Sequence, residues 1–354
     1  MGIQETRQAI DQTDREILAL LIKRHQLALE LGTVKREQGL PIYDALRERD
    51  ILARLEEASQ GRLAIRAVRA VWREIFSASR QAQLPTRVAY LGPEGTFTQQ
   101  AALFRFGSSA DLIPCHTLAA AFALVANESV DYAVLPVENS QHGIVGETVD
   151  LLGSAKQPLI VGEIVIPIHL VFSSLAPRLE AVKTIFSKNE AFLQCSTFLD
   201  QPSLAGAAHQ AVSSTAAAVR QAASDPDSAA ISAEIAASQS GVPILHRHVE
   251  NNSRNRTRFL VLGRHRPLPS GNDKTSVFAH VPNVSGGLEA LLRSFREAGI
   301  NLNKIESRPI DTALNFDAWF YIDMDGHAAD PALKEILANH DMIWLGSYPR
   351  SEMP

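Results

Sequence analysis

The sequence predicts a multidomain protein in which an all-α region, an α/β region and an α+β region follow one another. Residues 4–83 keep the three-and-four spacing of apolar side chains that is typical of helices, and Pro85 ends that pattern. From 87 to 263, short apolar runs alternate with helical stretches, which indicates layered α/β structure. After a polar, Pro- and Gly-rich linker at 264–272, the last part follows the βαββαβ order of ferredoxin-like domains. We therefore expect three domains, at 1–85, 87–265 and 273–354.

The composition is that of an ordinary globular protein. Of its 354 residues, 45% are apolar and 21% are charged, so two or three separate cores can form. The net charge of −5 gives no reason to expect binding to nucleic acid or to a membrane surface. The N-terminus lacks an export signal and no apolar run reaches about 18 residues, so we expect a cytoplasmic protein with reduced cysteines. Because no Cys or His pair has a metal-ligand spacing, we expect neither a metal nor an organic cofactor.

The first helical stretch has cations where a packing face needs apolar residues. Arg7, Arg24 and Lys35 share one helical face with apolar residues of a packing seam, which are Ile17, Leu21, Ala28 and Leu31. Burying an unpaired charge is costly, so the face needs an explanation. It is either a coiled-coil seam with polar register residues, or one wall of a site that a small polyanion completes.

Helix geometry limits which of these cations can share a ligand. At 1.5 Å per residue, Arg24 and Lys35 are roughly 16 Å apart along the helix axis and can bracket one small molecule. Arg7 is about 26 Å from Arg24 by the same measure. If Arg7 serves such a site, it comes from an antiparallel partner helix, so we expect a homodimer or a higher homo-oligomer.

Polar residues in the next two helices complete a recognisable pattern. Asp44 precedes the second helix as an N-cap, with Arg47 and Glu48 in the first turn. Ser79 and Gln83 extend the apolar stripe of the third helix, and by themselves they are most simply a fraying helix end. Together with the cations of the first helix, their order and spacing resemble the all-helical chorismate mutases over the whole all-α region.

This resemblance implies a helical dimer that rearranges chorismate to prephenate, an intramolecular reaction that needs no base, nucleophile or metal. The reaction needs a compact substrate conformer and stabilisation of the charge on the breaking ether oxygen. By resemblance, Lys35 and Gln83 donate hydrogen bonds to that oxygen and Glu48 orients the ring hydroxyl. The substrate-binding set is completed by Arg24, Arg47, Asp44, Ser79 and, from the partner subunit, Arg7.

Three polar segments of the α/β region lie beside predicted strands, where the ligand crevices of α/β sheets form. They are GPEGTF at 92–97, PVEN at 136–139 and NRTRF at 255–259. Taken singly, the first is most simply a turn between strand and helix and the last a solvated loop. Together with Ser187 and Gln194 they resemble the prephenate dehydratases. That family has two α/β lobes similar to periplasmic binding proteins, with the active site in the cleft.

The second resemblance implies loss of carboxylate and hydroxyl from prephenate, giving phenylpyruvate, carbon dioxide and water. Thr257 would assist departure of the hydroxyl. A threonine is too weak an acid for ordinary acid catalysis near neutrality, so we expect it to donate a hydrogen bond to this group. Arg258 is the expected carboxylate partner by its chemistry, although adjacent strand residues point to opposite faces. His142 and His169 are interpreted as structural or incidental and not as acids. The remaining substrate-binding set is Asn139, Ser187 and Gln194.

The α+β region carries a polar motif, Glu-Ser-Arg-Pro, inside a predicted strand. By itself the proline suits a strand end or a sheet edge. In order and spacing the region resembles the ACT-type regulatory domain of prephenate dehydratases, and the family's second motif, Gly-Ala-Leu, reads Gly-Gly-Leu here. The resemblance implies feedback by L-phenylalanine at a domain interface. The effector-binding set is Gly286, Gly287, Leu288, Glu306, Ser307, Arg308 and Pro309.

The three resemblances occur in the order found in the bifunctional chorismate mutase/prephenate dehydratase family, the P-proteins of phenylalanine biosynthesis, and cover nearly the whole chain. Two rivals remain. One is a regulator that senses an aromatic metabolite without turnover and dimerises through its helices. The other is a dehydratase whose mutase domain serves dimerisation alone. Intact Lys35, Gln83 and Thr257 favour two activities.

Overall fold

The computed structural model describes residues 2–39, 43, 45–154, 158–309 and 318–351. The chain forms two compact units. A helical unit contains residues 1–87 and 103–111, and a larger sheet unit contains residues 88–102 and 112–354.

Three helices form most of the helical unit: α1 (Ile3–Glu37), α2 (Ala45–Ser59) and α3 (Ile65–Gln83). The 35 residues of α1 give it a length of about 52 Å. A β-carbon added at Gly32 would lie 2.8 Å from Cβ of Gln83, so this glycine lets α1 approach α3 closely. The predicted all-α region is therefore confirmed.

Helix α1 exposes apolar side chains on several sides. Those more than a third exposed include Ile10, Ile17, Leu18, Leu20, Leu21, Ile22, Leu27, Leu29, Leu31 and Val34. A helix that is apolar most of the way round is typical of a helix buried in a larger assembly. Large exposed apolar patches are rare on monomeric proteins.

The first lobe of the sheet unit is a mixed sheet flanked by three helices. Its strands are β1 (Arg87–Leu91), β2 (Asp111–Cys115), β3 (Tyr132–Asn139), β4 (Gly143–Ile144), β5 (Leu159–Pro167) and β11 (Arg256–Gly263). The strand order is β2-β1-β3-β11-β5, and β4 pairs with β3. Strand β1 is parallel to β3, and β11 runs antiparallel between β3 and β5. The helices are α4 (Phe97–Phe106), whose last turn belongs to the helical unit, α5 (Leu118–Ala126) and α6 (Gly146–Ser154).

The second lobe has its own five-stranded sheet. Its strands are β6 (Leu170–Ser174), β7 (Thr184–Ser187), β8 (Ala208–Ala211), β9 (Ser228–Ala233) and β10 (Ile244–Arg247), in the order β10-β6-β9-β7-β8. Its helices are α7 (Asn189–Gln194), α8 (Ser196–Leu199), α9 (Thr215–Ala222) and α10 (Glu234–Ser240). The chain enters this lobe between β5 and β6 and leaves it between β10 and β11. The predicted two-lobed α/β architecture is confirmed.

The C-terminal part has the predicted strand and helix order. It consists of β12 (Asp273–Val281), α11 (Gly287–Glu297), β13 (Leu302–Pro309), β14 (Ala318–Asp325), α12 (Pro331–Asn339) and β15 (Met342–Pro349). The four strands form an antiparallel sheet in the order β13-β14-β12-β15. Phe278, Tyr321 and Tyr348 of this sheet share one apolar core with Leu135 and Ile160 of the first lobe.

Candidate active sites

A cavity of about 230 Å³ in the helical unit is lined by all three helices. Leu27, Leu31, Ile51 and Phe76 form part of its apolar wall. Six predicted site residues also line this cavity: Arg24, Lys35, Arg47, Glu48, Ser79 and Gln83. Side chains from three separate helices are thus brought together around one concave surface that carries an excess of positive charge.

The Arg24 guanidinium is held against α3. Its Nη1 donates to Oγ of Ser79, which itself donates to the carbonyl of Ile75 at 2.7 Å, and the guanidinium lies 5.6 Å from the centre of the Phe76 ring. Burial lowers the pKa of Arg24, while the charge of Glu48 raises it. Arg24 is therefore oriented before a ligand binds, and its partial burial favours a new anionic partner.

The amide of Gln83 is buried and only partly satisfied. Its Nε2 donates to the carbonyl of Ser79 at 3.1 Å, which leaves the second hydrogen of that nitrogen without an acceptor among the described contacts. Its Oε1 is buried and has no hydrogen-bond partner among the described residues. Because an unpaired buried polar atom is costly, this amide is suited to a ligand that completes its hydrogen bonds.

Arg80 is a residue of this site that sequence reasoning missed. Its Nη1 donates to Oε1 of Glu48, and its Nη2 donates to the carbonyl of Phe106 at 2.8 Å. Its side chain is 5% exposed and lines the same cavity, so the ion pair fixes the Glu48 carboxylate at the cavity wall. The available signal was position, since Arg80 lies four residues after Phe76 on the buried stripe of α3.

Two predicted residues of this site are not on the cavity wall. Arg7 has an exposed side chain on α1, about 26 Å along the helix axis from Arg24. It therefore cannot reach the cavity of its own chain. Asp44 lies outside the described residues.

In the sheet unit, a cavity of about 730 Å³ is lined by both lobes. The first lobe contributes the glycine-containing turn after β1, with Thr96, and the ends of β3 and β11, with Asn139 and Thr257. The second lobe contributes Gln194 and residues near the start of α9. The segments that sequence placed at strand ends therefore meet in one cleft.

Asn139 and Thr257 face each other across neighbouring strands. They are paired in the β3–β11 register, and Nδ2 of Asn139 donates to Oγ1 of Thr257 at 2.8 Å. The side-chain oxygen Oδ1 of Asn139 accepts from the backbone N–H groups of Gln141 and His142, at 2.9 and 3.1 Å, which fixes the orientation of the side-chain amide. The Thr257 oxygen accepts this hydrogen bond, and its hydroxyl proton remains available as a donor at the cleft wall.

The expected role of Arg258 as a carboxylate partner is not supported by its position. Its side chain is 9% exposed, and its guanidinium donates to Glu163 at 2.7 Å, to Tyr348 at 2.9 Å and to Asp323. Burial alone would raise the pKa of Asp323, but the charge of Arg258 holds it below its ordinary value. Because adjacent strand residues alternate, Arg258 points away from Thr257 and connects β11 to the C-terminal sheet.

Of the other two predicted cleft residues, one lines the cleft and one does not. Gln194 lines the cleft, and its Nε2 lies 2.9 Å from Nε2 of His142. Ser187 is fully buried at the end of β7, where its hydroxyl donates to the carbonyl of Ile231 at 2.8 Å, and it is not on the cleft wall. Ser187 therefore stabilises the sheet beneath the cleft.

Two cations of the cleft were missed by sequence reasoning. Lys188 directly follows β7, and Arg220 lies on α9; both line the cleft. They are the cationic side chains on this wall and are candidates for holding carboxylates. For Lys188 the signal was its place just after a parallel strand, where ligand crevices form. Nothing in the local sequence distinguishes Arg220 from an ordinary exposed helix residue.

The two predicted effector motifs lie in different parts of the C-terminal sheet. Glu306, Ser307, Arg308 and Pro309 end β13, an edge strand, as the proline suggested. Arg308 donates to Asp150 of α6 from Nε at 2.8 Å. Gly286 caps α11 with a φ of 83°, and a β-carbon at Gly287 would lie 2.6 Å from the carbonyl oxygen of Pro282. Leu288 packs against the core of this part.

Comparison with known proteins assigns the N-terminal helical region and the two-lobed region to families. The family model for chorismate mutase type II matches residues 6–84, and that for prephenate dehydratase matches residues 88–267. No helix among the described residues is both long enough and apolar enough to cross a bilayer.

Relatives similar over the full length have both functions in one chain. A bifunctional chorismate mutase/prephenate dehydratase from Aquifex aeolicus is 38% identical over 99% of this chain and 98% of its own. One from Neisseria gonorrhoeae is 38% identical over 97% and 96%. The crystal structure of prephenate dehydratase from Arthrobacter aurescens in complex with L-Phe is 33% identical, with a TM-score of 0.69 over 75% of this chain and 90% of that one. With the two cavities described above, these matches show that the chain belongs to the bifunctional chorismate mutase/prephenate dehydratase family and has both activities.

Proposed function

We propose that the cavity of the helical unit binds chorismate and that Arg24 and Arg47 bind its two carboxylates. The observation that carries this proposal is the convergence of Arg24, Arg47 and Lys35 on one small cavity. A dicarboxylate is opposite in charge to these cations, and the planar guanidinium fork matches a carboxylate with two parallel hydrogen bonds.

The rearrangement itself is assigned to two hydrogen-bond donors. Lys35 and the free hydrogen of the Gln83 amide stabilise the negative charge that develops on the ether oxygen as its bond to carbon breaks. Glu48, held by Arg80, accepts a hydrogen bond from the ring hydroxyl and so orients the ring. Cavity walls from three helices favour the compact conformer in which the bond-forming carbons are close. Asp44 remains a proposed member of the binding set from the sequence resemblance.

The helical unit is proposed to work as a dimer in which Arg7 completes the site of the other subunit. Two observations support this. Arg7 is too far along α1 to reach its own cavity, and α1 exposes a large apolar surface. An antiparallel α1 from a second copy would cover that surface and bring Arg7 towards Arg24, in a two-fold interface that contributes equally to both sites.

Subunit exchange tests the shared site. Arg7→Ala and Arg24→Ala are each expected to abolish most mutase activity. After mixing in equal amounts and exchange, half of the dimers contain one intact site out of two, so mutase activity should return to about one quarter of wild type. The measurement is the loss of chorismate absorbance before and after exchange. A mixture that stays as inactive as its components would show that Arg7 does not complete the site of the other subunit.

In the sheet unit, the proposed substrate is prephenate, bound in the cleft between the lobes. Lys188 and Arg220 hold its carboxylates, and Gln194 contributes a further hydrogen bond. As the carbon–carboxylate bond breaks, carbon dioxide leaves, and the electron pair of that bond enters the ring and expels the hydroxyl as hydroxide, which takes up a proton from the solvent to give water. Thr257 donates to that hydroxyl because Asn139 occupies its acceptor side. This hydrogen bond is the observation that carries the assignment.

We further propose that the C-terminal part is an ACT-type domain that binds L-phenylalanine. Support comes from the βαββαβ order, the close backbone approach at Gly287 and the solved relative in complex with L-Phe. Binding of phenylalanine would be coupled to catalysis through strand β11. On this strand Arg258 is hydrogen-bonded to Asp323 of β14 and directly follows Thr257. A shift of β14 would therefore act on the strand that carries the proposed catalytic hydroxyl.

Calorimetric titration with phenylalanine tests the effector site. We expect saturable binding together with inhibition of the dehydratase. Glu306→Gln should weaken binding by roughly 10-fold or more, because it replaces a charge-assisted hydrogen bond to the ligand amino group. Glu297→Gln, at the exposed end of α11, is the matched control and should leave binding unchanged. Absence of both heat and inhibition in the wild-type protein would remove the effector proposal.

A further inference from the structure

A cluster of metal-ligating side chains joins the two connections between the lobes. His169 lies between β5 and β6, where the chain enters the second lobe. His248 and Glu250 lie between β10 and β11, where it returns. One ligand atom from each of these three residues lies within 4.8 Å of the others. We call the three residues the crossover triad.

The carboxylate is the fixed centre of the crossover triad. Oε1 of Glu250 lies 2.7 Å from Nδ1 of His169 and 3.6 Å from Nδ1 of His248. The second oxygen, Oε2, accepts from the backbone N–H of Leu170 at 2.8 Å, so it orients Oε1 towards both imidazoles. The Glu250 side chain is 3% exposed, whereas those of His169 and His248 are 35% and 62% exposed. The carboxylate is thus rigid and the imidazoles can adjust.

His248 has an unusual backbone conformation. Its φ is 56°, in the left-handed region that costs a residue with a side chain of order 1–3 kcal/mol. Two other described non-glycine residues have a positive φ, Gln60 and Glu128, and both follow the end of a helix, where such a turn is common. His248 follows a strand instead, and its ring stands at 77° to that of His169 with 4.3 Å between centroids. In this backbone conformation the two imidazoles lie next to each other.

We propose that the crossover triad binds a divalent zinc ion through His169, His248 and Glu250. Two imidazoles and one carboxylate form a common zinc ligand set, in which water takes the fourth position. With metal–ligand distances of about 2.0–2.2 Å, tetrahedral ligand atoms are roughly 3.3–3.5 Å apart. The distances of 2.7 and 3.6 Å to the carboxylate already lie on either side of that value. The Leu170 N–H supplies the outer hydrogen bond that such a carboxylate ligand needs.

The expected consequence is a cross-link between the two lobe connections. These connections are already joined by backbone hydrogen bonds from Val249 to Leu170 and from Ile168 to Asn255. A bound ion would add three metal–ligand bonds at the same place and limit the movement of one lobe against the other. The sequence did not predict this site, because its ligands come from two distant segments without a recognisable ligand spacing.

Zinc binding to the full-length protein tests the proposal. After treatment with a chelator, the wild-type protein is titrated with zinc sulfate by calorimetry, and one ion per chain is expected. His248→Ala should weaken this binding by more than the roughly 10–100-fold that loss of an outer-shell partner costs. His246→Ala is the matched control, because His246 is exposed on β10, the strand that His248 follows, and packs against Phe198 instead. It should bind zinc like the wild type.

A second variant and a spectroscopic readout keep the result independent of folding. Glu250→Gln retains the shape of the side chain but should also weaken binding, and circular dichroism checks the fold of each variant. Cobalt substituted for zinc should give the visible absorption bands of a four-coordinate nitrogen and oxygen site. If wild-type protein binds no zinc, or if His248→Ala and His246→Ala bind it equally, the triad is an ordinary histidine–carboxylate hydrogen-bonded cluster and the proposal is wrong.

Discussion

Replacing Thr257 by alanine is expected to lower the prephenate dehydratase rate by about 10²- to 10³-fold, the usual effect of losing one donor to a developing charge. The loss should lie mainly in kcat, because the hydrogen bond to the departing hydroxyl strengthens only as that bond breaks. Asn139 would lose the oxygen to which it donates, but it keeps its bonds to Asn255 and to the carbonyl of Arg256. Phenylpyruvate formation from prephenate is the measurement.

Thr257→Ser is the matched control, because it retains the hydroxyl at the same place on β11. We expect it to keep most of the dehydratase activity. Mutase activity of the same Thr257→Ala preparation provides an internal check, since the helical unit contains all of the proposed mutase residues. An alanine variant that dehydrates prephenate at nearly the wild-type rate would show that another group assists the leaving hydroxyl.

Replacing Lys35 by alanine is expected to have the opposite selectivity. The mutase rate should fall by about 10²- to 10³-fold, because Lys35 supplies the positively charged donor to the ether oxygen. Gln83 alone would remain, and a neutral amide stabilises a developing negative charge less than an ammonium group does. The dehydratase rate of the same preparation should be unchanged. Disappearance of chorismate reports the first step, and phenylpyruvate made from added prephenate reports the second.

A second lysine of α1 separates this local effect from a general loss of charge. Lys23 is exposed and does not line the cavity, so Lys23→Ala should leave both rates close to wild type. Lys35→Ala combined with normal mutase activity would overturn the assignment of Lys35. Equal losses in the two lysine variants would indicate that helix α1 or its contact with a second subunit is damaged instead.

Much of the mutase cavity was predictable because helical periodicity links sequence position to a face. Arg24 and Lys35 were identified as cations on an apolar face of one helix, and they do line one cavity. Ser79 and Gln83 were weaker signals, since a polar helix end is common. Their significance depends on α1 packing close to α3, which Gly32 permits. Arg80 shows the limit of prediction from helical periodicity. In the sequence it only interrupts the apolar stripe of α3, and its role becomes clear from its ion pair with Glu48.

The cleft of the sheet unit shows what the alternation of residues along a strand cannot predict. Alternation along β11 correctly indicated that Thr257 and Arg258 differ in direction, but it does not say which face meets the cleft. Chemistry alone favoured Arg258 as the carboxylate partner, whereas its guanidinium is bonded to Glu163 and Asp323. Lys188 and Arg220 line the cleft instead.

The sequence by itself determined the order of three kinds of region, the elements within them and the family of two activities. Those properties follow from local periodicity, from turn residues and from motifs that are contiguous in the chain. The tertiary structure alone decided which cations line the ligand cavities and which cations form internal ion pairs. It also decided that His169 contacts Glu250. These properties depend on how the faces of distant elements are packed together, and a linear pattern does not contain that packing.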